Sequence, residues 1–414
     1  MPFLKKIFHF FQRQLAHSWR LLFPKIKIIG VTGSYGKTNT TRAIAAVLES
    51  QYSVLTTDIN LDTNYNLPLT LLKIRPGTEV LILEYGVDHR GEMEKHLKLV
   101  QPTIGILTGI TPVHSDKELL GSKEGIMKEK GKLLESLPKS GWAILNFDDP
   151  NVKKMARQTK AKTITYGRQP EYDYWADKIK VDQKGTSFLL HYNGSGKEKT
   201  VKMHIGLIGE HFVQEALAAI AVGKILGISP KRGAQMLKKL QPLSGRMSLE
   251  KGPRQTTLLN DSLRANPAST RAGLITFAQL KSKGKKIAVL GEMGELGIYE
   301  KEEHLKIGSL LGQLKKEIDE VITIGPATKF IIKGAIEAGF PSKHLFWTPH
   351  PQAAGKLLKK MLEKGDFWYL KGSRLKHLER IIMILEGEGV DCQRPSCHYY
   401  WHCRQCPKRY TKKD

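Results

Sequence analysis

Cysteine is almost absent from this chain of 414 residues, because its four cysteines all lie between Cys392 and Cys406. A disulfide framework through the body of the protein is therefore excluded. A body without cysteine suits a reducing, cytoplasmic compartment. The cluster at the end of the chain is left for another purpose, such as metal binding.

Long apolar runs are also lacking, since no uninterrupted apolar stretch approaches the ~20 residues that a membrane span needs. The N-terminal residues 1–25 do not resemble a secretory signal peptide. Lys5, Lys6, Arg13 and Arg20 interrupt their apolar residues, and no cleavage site of small residues follows. The sequence predicts neither a membrane span nor a cleaved leader.

The same residues 1–25 form a basic amphipathic segment. Apolar side chains recur there at helical spacing, with basic residues between them: Phe3, Ile7, Phe8, Phe11, Leu15 and Trp19. Two interpretations are open. The segment is either an interfacial helix that contacts the inner face of a membrane, or a helix that packs on the next domain.

Acidic residues are too few to balance the basic ones, with 40 Asp and Glu against 66 Lys and Arg, a formal charge of +26. Such a chain attracts polyanions, for example nucleotides, acidic substrates or an anionic membrane. The basic residues are spread along the whole chain, without an arginine-rich tail or an aromatic-basic patch. Nucleic-acid binding is therefore not expected.

Strand-like and helix-like segments alternate from residue 26 onward. The apolar runs "IKIIGVT", "EVLILEYG", "TIGILTGI" and "GWAILNFDD" each end in polar residues or glycine, which favours a parallel α/β sheet. A second series of such runs follows residue 244. We predict an α/β protein with a P-loop parallel-sheet ATPase domain at 26–244, a smaller Rossmann-like α/β domain at 245–386 and a small Cys-rich tail at 387–414.

The stretch "GVTGSYGKTNTT" at residues 30–41 follows an apolar strand and opens a helix-like segment. Glycines let such a loop point successive N–H groups at phosphate oxygens, and the helix N-terminus adds its dipole. Lys37 supplies a charge for the terminal phosphates, and Thr38 supplies a hydroxyl for Mg²⁺. ATP or GTP binding is predicted, with residues that span the turn: Gly33, Ser34, Tyr35, Gly36, Lys37, Thr38 and Asn39.

A metal–nucleotide site also needs ligands on neighbouring strand ends. Glu84 ends "EVLILEYG", and His114 lies just past "TIGILTGI". The carboxyl ends of parallel strands converge beside the phosphate loop, so both residues are candidate Mg²⁺ ligands.

The ordered motifs of residues 28–386 resemble the Mur ligases, ATP-dependent amide-forming enzymes of peptidoglycan synthesis. The phosphate loop of these enzymes has the pattern TGxxGKT, which corresponds to Thr32–Thr38 in this chain. Other matching stretches are "LDTNYNLPLTLL", "EYGVDHRGEMEKH", "TGITPVHSD", "KEKGKLLESL", "SGRM", "NDSLRANPAST", "VLGEMGELG" and "LKGSR".

The resemblance implies roles for individual residues. Lys130 is the lysine that relatives carbamylate, and with His114 it would hold a second Mg²⁺. His211, Arg246 and Asp261 would bind the nucleotide. The remaining matches would bind substrate: Asn64, Asn66, Arg264, Asn266, Lys371 and Ser373.

The implied reaction joins a carboxylate to an amine through an acyl phosphate, with release of ADP. Within the family, the chain resembles the enzymes that add a D-alanyl-D-alanine-like amine to a peptidoglycan precursor. Two alternatives are open. One is a Mur-type ligase for another acid, such as a folate, poly-amino-acid or lipid-linked precursor; the other is a non-catalytic nucleotide-binding subunit.

Three features depart from the family pattern. Relatives carry a UDP-sugar-binding domain before the loop, where this chain has residues 1–25. Recognition of the nucleotide sugar is then expected to be lost, supplied by a partner protein or replaced by a membrane-bound substrate. The adenine-side asparagines are Phe212 and Glu215 here, and a Tyr-Asn pair is Leu263 and Arg264.

The tail contains cysteines at the spacing C-x4-C-x5-C-x2-C. Thiolates at such short spacing converge on Zn²⁺, so a structural zinc site is predicted at Cys392, Cys397, Cys403 and Cys406. Exchange of one thiolate for His398 or His402 is an open alternative, as are free thiols or two disulfides.

Overall fold

The computed structural model describes residues 2–59, 61–194, 197–394, 396–397 and 402–407, with the side chains of residues 2–7, 194 and 197 left aside. Two compact units make up the chain. Unit 1 comprises residues 1–180, 186–206 and 211–240, and unit 2 comprises residues 181–185, 207–210 and 241–414. The main break, at residue 241, lies close to the boundary predicted at 244.

Unit 1 contains eight α-helices and nine strands within its described residues, although the ends of two of these strands, within residues 181–185, belong to unit 2. The strands are β1 (Lys27–Thr32), β2 (Val54–Thr56), β3 (Val80–Glu84), β4 (Ile104–Leu107), β5 (Trp142–Asn146), β6 (Lys162–Gly167), β7 (Tyr174–Asp182), β8 (Gly185–Gly194) and β9 (Lys197–Ile205). The helices are α1 (Pro2–Leu21), α2 (Lys37–Leu48), α3 (Thr63–Leu72), α4 (Glu92–Leu99), α5 (Lys123–Glu135), α6 (Pro150–Met155), α7 (Phe212–Ile225) and α8 (Pro230–Leu237).

The sheet of unit 1 has the order β2-β3-β1-β4-β5-β6-β7-β8-β9. Strands β1 to β6 are paired in parallel, and their central members are apolar and buried along nearly their whole length, as a sheet covered on both faces requires. Strand β1 lies between β3 and β4, so the chain reverses its direction of winding there. Ligands bind at such switch points, and the predicted phosphate loop follows β1 directly.

Helix α1 is anchored on unit 1 by one face. Ala16 is fully buried, and Trp19 packs against the same apolar core while its indole N–H donates to the carbonyl of Ile74 at 3.2 Å. The guanidinium of Arg13 donates to the carbonyl of Lys95 at 2.7 Å. The packing interpretation of this segment is therefore confirmed for its C-terminal half. No helix in the described part of the chain is both long and apolar enough to cross a membrane.

Unit 2 contains a six-stranded sheet with five α-helices among its described residues. The strands are β10 (Ser248–Lys251), β11 (Thr257–Asp261), β12 (Lys286–Gly291), β13 (Glu320–Ile324), β14 (Leu345–Thr348) and β15 (Phe367–Lys371). The helices are α9 (Pro267–Gln279), α10 (Glu300–Gln313), α11 (Lys329–Glu337), α12 (Pro351–Met361) and α13 (Glu379–Leu385).

The order of that sheet is β10-β11-β15-β12-β13-β14, parallel except for β10. Strand β15 returns to the centre between β11 and β12. This register places Asp261 opposite Lys371 at the carboxyl ends of two neighbouring strands. The predicted α/β class is confirmed in both units.

Candidate functional site

The turn between β1 and α2 has the backbone that the glycines of the loop predict. Gly33 and Gly36 have φ values of 147° and 76°, a region that side chains disfavour. A Cβ atom on Gly33 would lie 2.0 Å from the hydroxyl oxygen of Thr108. Only glycine fits there, so the tight turn depends on the sequence pattern itself.

Lys37 and Thr38 open helix α2 beside the end of β3. The ammonium of Lys37 donates to the carbonyl of Gly33 at 2.7 Å, so it lies across the loop. The hydroxyl of Thr38 donates to Oε2 of Glu84 at 3.3 Å. A hydroxyl and a carboxylate at this distance are hard oxygen donors of the kind that Mg²⁺ prefers. The predicted pair of ligands therefore comes together.

Lys130, in the middle of α5, is 1% exposed. Burial, and after it the charge of Lys37, lower its pKa well below the ordinary value, while the carboxylate of Asp88 acts in the opposite direction. The charge of the phosphate-loop lysine therefore acts on Lys130. His114 follows β4 and has a φ of 68°, and its charge acts on the same Asp88.

The predicted substrate residues Asn64 and Asn66 make different contacts. The amide of Asn64 donates to Oε1 of Glu92 at 2.9 Å. The amide of Asn66 is buried and bonds within its own segment, to the backbone N–H and the carbonyl of Asp58. Asn66 thus shapes the segment, whereas Asn64 fixes a carboxylate on α4.

Glu92 was not singled out from the sequence. Burial acts to raise its pKa, but N–H donors from the backbone of Asp88 and His89 and from the Asn64 side chain lower it to about 2. The Glu92 carboxylate therefore holds the turn that carries Asp88. The acidic residues of "EYGVDHRGEM" were the available signal.

A polar network beside the loop was also missed. The hydroxyl of Tyr35 donates to Oδ2 of Asp149 at 3.2 Å, and the same oxygen accepts from the backbone N–H of Ile110 at 2.8 Å. Asn146 bonds the carbonyl of Thr108 at 2.8 Å. Three polar residues after β5, in "NFDDPNV", were the sequence signal, because strand ends converge here.

Glu215 lies against the phosphate loop on α7, at a position where the family resemblance implies an asparagine. Its Oε1 would lie 3.3 Å from a Cβ atom on Gly36, and burial raises its pKa to about 8. Phe212, the first residue of the same helix, is buried. The centroid of its ring lies 4.0 Å from that of His211, the residue before the helix. A carboxyl group whose raised pKa favours the neutral form therefore lies next to the loop.

Asp261 and Lys371 form a buried ion pair at the carboxyl ends of β11 and β15. The ammonium lies 2.7 Å from Oδ2 of Asp261, which also accepts from the hydroxyl of Tyr369 at 3.1 Å. The charge of Arg246 also acts on Asp261. The structure thus brings together three residues that the resemblance assigned to nucleotide and amine binding.

The remaining predicted residues of unit 2 lie near this pair along the chain. Asn266 caps α9, since its Oδ1 accepts from the N–H of Ser269 at 2.9 Å. Arg264 is exposed and its charge acts on Arg374, just after Ser373. Asn266 therefore has a structural contact, whereas Arg264 contributes to a cationic surface.

The four predicted zinc ligands do not form one cluster. Among the described residues, which include all four cysteines, no three of their sulfurs lie within 4.8 Å of one another. Cys403 instead lies with His377 and Glu379. The alternative ligand His398 lies outside the described residues, and the four-cysteine site stays a prediction.

Comparison with known proteins decides the family. The sequence matches the Mur ligase middle domain over residues 31–223 and the Mur ligase glutamate ligase domain over residues 245–374. The chain belongs to the Mur ligase family. The prediction of an ATP-dependent, ADP-forming ligase of this family is thereby confirmed.

Relatives within the Mur ligase family are similar over most of their length. The UDP-N-acetylmuramoyl-tripeptide--D-alanyl-D-alanine ligase of Bacillus subtilis is 34% identical over 359 residues, 87% of this chain and 76% of that protein. The enzyme of the same name from Escherichia coli is 28% identical, over 88% of this chain and 78% of that protein.

Solved structures of the family share the fold. A MurF of Acinetobacter baumannii has a TM-score of 0.81 at 25% identity, over 92% of this chain and 81% of that one. A MurF ligase of Thermotoga maritima, solved in complex with ADP, has a TM-score of 0.76 at 25% identity, over 92% of this chain and 84% of that one.

Proposed function

We propose that this Mur ligase joins a D-alanyl-D-alanine-like amine to the carboxylate of a peptidoglycan precursor, with cleavage of ATP to ADP and phosphate. The names of its similar relatives supply the substrates. The observation that carries the proposal is the juxtaposition of Lys37, the Thr38–Glu84 oxygen pair and the buried Lys130 at the switch point of unit 1.

The phosphate loop would bind the nucleotide with the roles predicted above. Its N–H groups and the ammonium of Lys37 neutralise the phosphates, and Thr38 with Glu84 would hold Mg²⁺, which supplies charge neutralisation when bound. Phosphoryl transfer depends mainly on such positioning and electrostatics. The substrate carboxylate attacks the γ-phosphorus as the bond to ADP breaks, and the amine then displaces phosphate from the acyl carbon.

Lys130 has the environment that carbamylation requires. Only a neutral amine adds to CO₂, and burial beside Lys37 favours the neutral form of Lys130. The carbamate would convert a cation into an oxygen ligand, which with His114 would hold a second Mg²⁺. We infer that Lys130 is modified in the active protein.

Arg264 and Arg374 would bind the free carboxylate of the amine substrate. The charge of Arg264 acts on the Arg374 guanidinium, and guanidinium groups bind carboxylates through paired N–H donors. Arg264 stands where the family pattern has asparagine, so we infer that this surface adjusts amine specificity. Asn64 and Glu92 would border the acid substrate in unit 1.

Helix α1 would hold the protein against an anionic membrane from the cytoplasmic side. Its anchored face leaves the opposite apolar residues exposed, with Phe8, Phe11 and Leu15 at 63%, 65% and 60%. The ring of His9 lies 4.6 Å from that of Tyr65 in α3, so this surface adjoins the Asn64 segment. Apolar residues flanked by basic ones are typical of interfacial helices.

The test is ADP release by the purified chain with Mg·ATP, UDP-N-acetylmuramoyl-tripeptide and D-alanyl-D-alanine, with the products identified by mass spectrometry. Substrate-dependent ADP and the joined pentapeptide precursor would support the proposal. Lys37→Ala should abolish both, whereas the exposed Lys25→Ala serves as the matched control.

Product only with a folate, poly-amino-acid or lipid-linked acid would support the alternative ligase. ATP binding without product from any acid would indicate a non-catalytic subunit.

A further inference from the structure

We propose that His377, Glu379 and Cys403 form a transition-metal site that fastens the Cys-rich tail to unit 2. One ligand atom from each residue, a ring nitrogen, a carboxylate oxygen and a sulfur, lies within 4.8 Å of the other two. His377 and Cys403 are buried, and 25 residues of chain separate them from each other. The donor set differs from the four cysteines that the spacing predicts, and the proposal is independent of the proposed function.

The imidazole of His377 is oriented as metal-binding histidines are. Its Nε2 lies 3.0 Å from the backbone carbonyl of Cys397, while its Nδ1 lies 2.7 Å from Oε1 of Glu379. A ligating histidine almost always donates its other ring N–H to a carbonyl or carboxylate, which fixes the tautomer. When Nε2 carries the proton, Nδ1 faces Oε1 of Glu379 and is the nitrogen that would bind the metal.

The backbone at His377 is also specialised. Its φ of 51° lies in the left-handed region, although the residue is not glycine. Such a conformation is unfavourable for a residue other than glycine and persists where the surroundings enforce it, often at ligand sites. It ends the short turn Arg374–Lys376 and directs the ring toward the tail.

The sulfur of Cys403 is held in place by its other neighbours. The Nε–H of the buried Arg380 donates to this sulfur at 3.1 Å, and the guanidinium also bonds the carbonyls of Cys392 and Arg394. The thiolate is the form of cysteine that binds metals. The backbone N–H of Cys403 donates to Oε1 of Glu379 at 3.1 Å. This hydrogen bond connects the tail to helix α13.

Nitrogen, oxygen and sulfur together suit Zn²⁺ or Co²⁺ better than the hard cations Mg²⁺ and Ca²⁺. Three protein ligands leave one tetrahedral position for water. The site lies directly after the Lys371–Arg374 segment, so an occupied site would fix the turn Arg374–Lys376 and the tail as one body.

The experiment uses the full chain, stripped with a chelator and then loaded with Zn²⁺ or Co²⁺. We expect one metal ion per chain by elemental analysis. His377→Gln and Cys403→Ser should each lower the affinity for the metal by at least about tenfold. The matched controls Cys392→Ser and Cys406→Ser should leave stoichiometry and affinity unchanged.

X-ray absorption by the zinc-loaded, unaltered protein keeps the test independent of how the variants fold. One sulfur with lighter donors in the remaining positions is expected. Four sulfurs around zinc, with loss of the metal in Cys392→Ser and Cys406→Ser, would overturn the proposal in favour of the four-cysteine site. Absence of bound metal would overturn it in favour of a metal-free His377–Glu379 ion pair.

Discussion

The ammonium of Lys371 lies 2.7 Å from Oδ2 of Asp261, and Lys371 is 1% exposed. Adjacent parallel strands deliver the two charges to the same point, since Asp261 and Lys371 are register partners of β11 and β15. Each charge is compensated chiefly by the other, because a buried ion is costly without a partner.

Lys371→Met should therefore destabilise unit 2 by about 3–5 kcal/mol, because it leaves Asp261 buried without its cation. The double variant Lys371→Met, Asp261→Asn should lose less than the sum of the two single variants. Chemical denaturation of all three measures the coupling. Lys306→Met removes an exposed lysine that pairs with Glu302 and is the control, with an expected loss below about 1 kcal/mol. Additive single losses would contradict a mutually dependent pair.

Lys130→Ala should lower ligation by at least about 10²-fold, as expected when a group that organises charge at the reaction centre is removed. Product formation under saturating substrates measures the loss. Lys128→Ala changes an exposed lysine of the same helix and should retain activity.

Bicarbonate provides a second readout of the same residue. The unaltered protein, exchanged into CO₂-free buffer, should lose activity and regain it when bicarbonate is added, whereas Lys130→Ala should respond to neither step. Full activity of Lys130→Ala, with or without bicarbonate, would exclude the carbamate.

The fold and the centre of the site were predictable from the sequence for physical reasons. Apolar runs that end in polar residues specify buried parallel strands, and only glycine satisfies the backbone at Gly33. Thr38 and Glu84 come together because β1 and β3 are adjacent parallel strands. Glu84 ends β3, and Thr38 lies just past the loop that follows β1. The role of Asp149 could not be predicted, because it depends on a Tyr35 hydroxyl 114 residues away in the chain. The cluster around Cys403 was missed because spacing within the tail does not reveal partners outside it.

We expect Glu215 to make the stability of the folded chain depend on pH. Its pKa is about 8 in the folded protein and near 4.5 when unfolded, so the folded chain binds the extra proton between these values. Stability contributed by the neutral acid is present below about pH 4.5 and is lost as pH rises toward 8. Each unit of difference between the folded and unfolded pKa corresponds to about 1.4 kcal/mol in the free energy of unfolding.

Glu215→Gln removes this titration and should flatten the decline in melting temperature between pH 5 and pH 9, with the gain over the unaltered protein largest at pH 9. Thermal unfolding at both pH values measures it. Glu210→Gln, which changes a half-buried acid nearby in the sequence, should keep the original slope. An unchanged pH profile in Glu215→Gln would show that the carboxyl group does not carry the effect.

The exposed face of α1 should bind anionic vesicles and not neutral ones. The double variant Phe8→Ser, Phe11→Ser removes two rings that are 63% and 65% exposed and contribute little to packing within unit 1. Partitioning into vesicles with 30% anionic lipid should fall by roughly tenfold or more, because interfacial binding scales with the apolar area inserted. Sedimentation with vesicles measures it, and added salt should weaken the binding further since basic residues contribute.

The control Ile298→Ser, Ile336→Ser removes exposed apolar residues from unit 2 and should bind as the unaltered protein does. Equal binding to neutral vesicles, or by the Phe8 and Phe11 variant, would exclude α1 as the membrane contact.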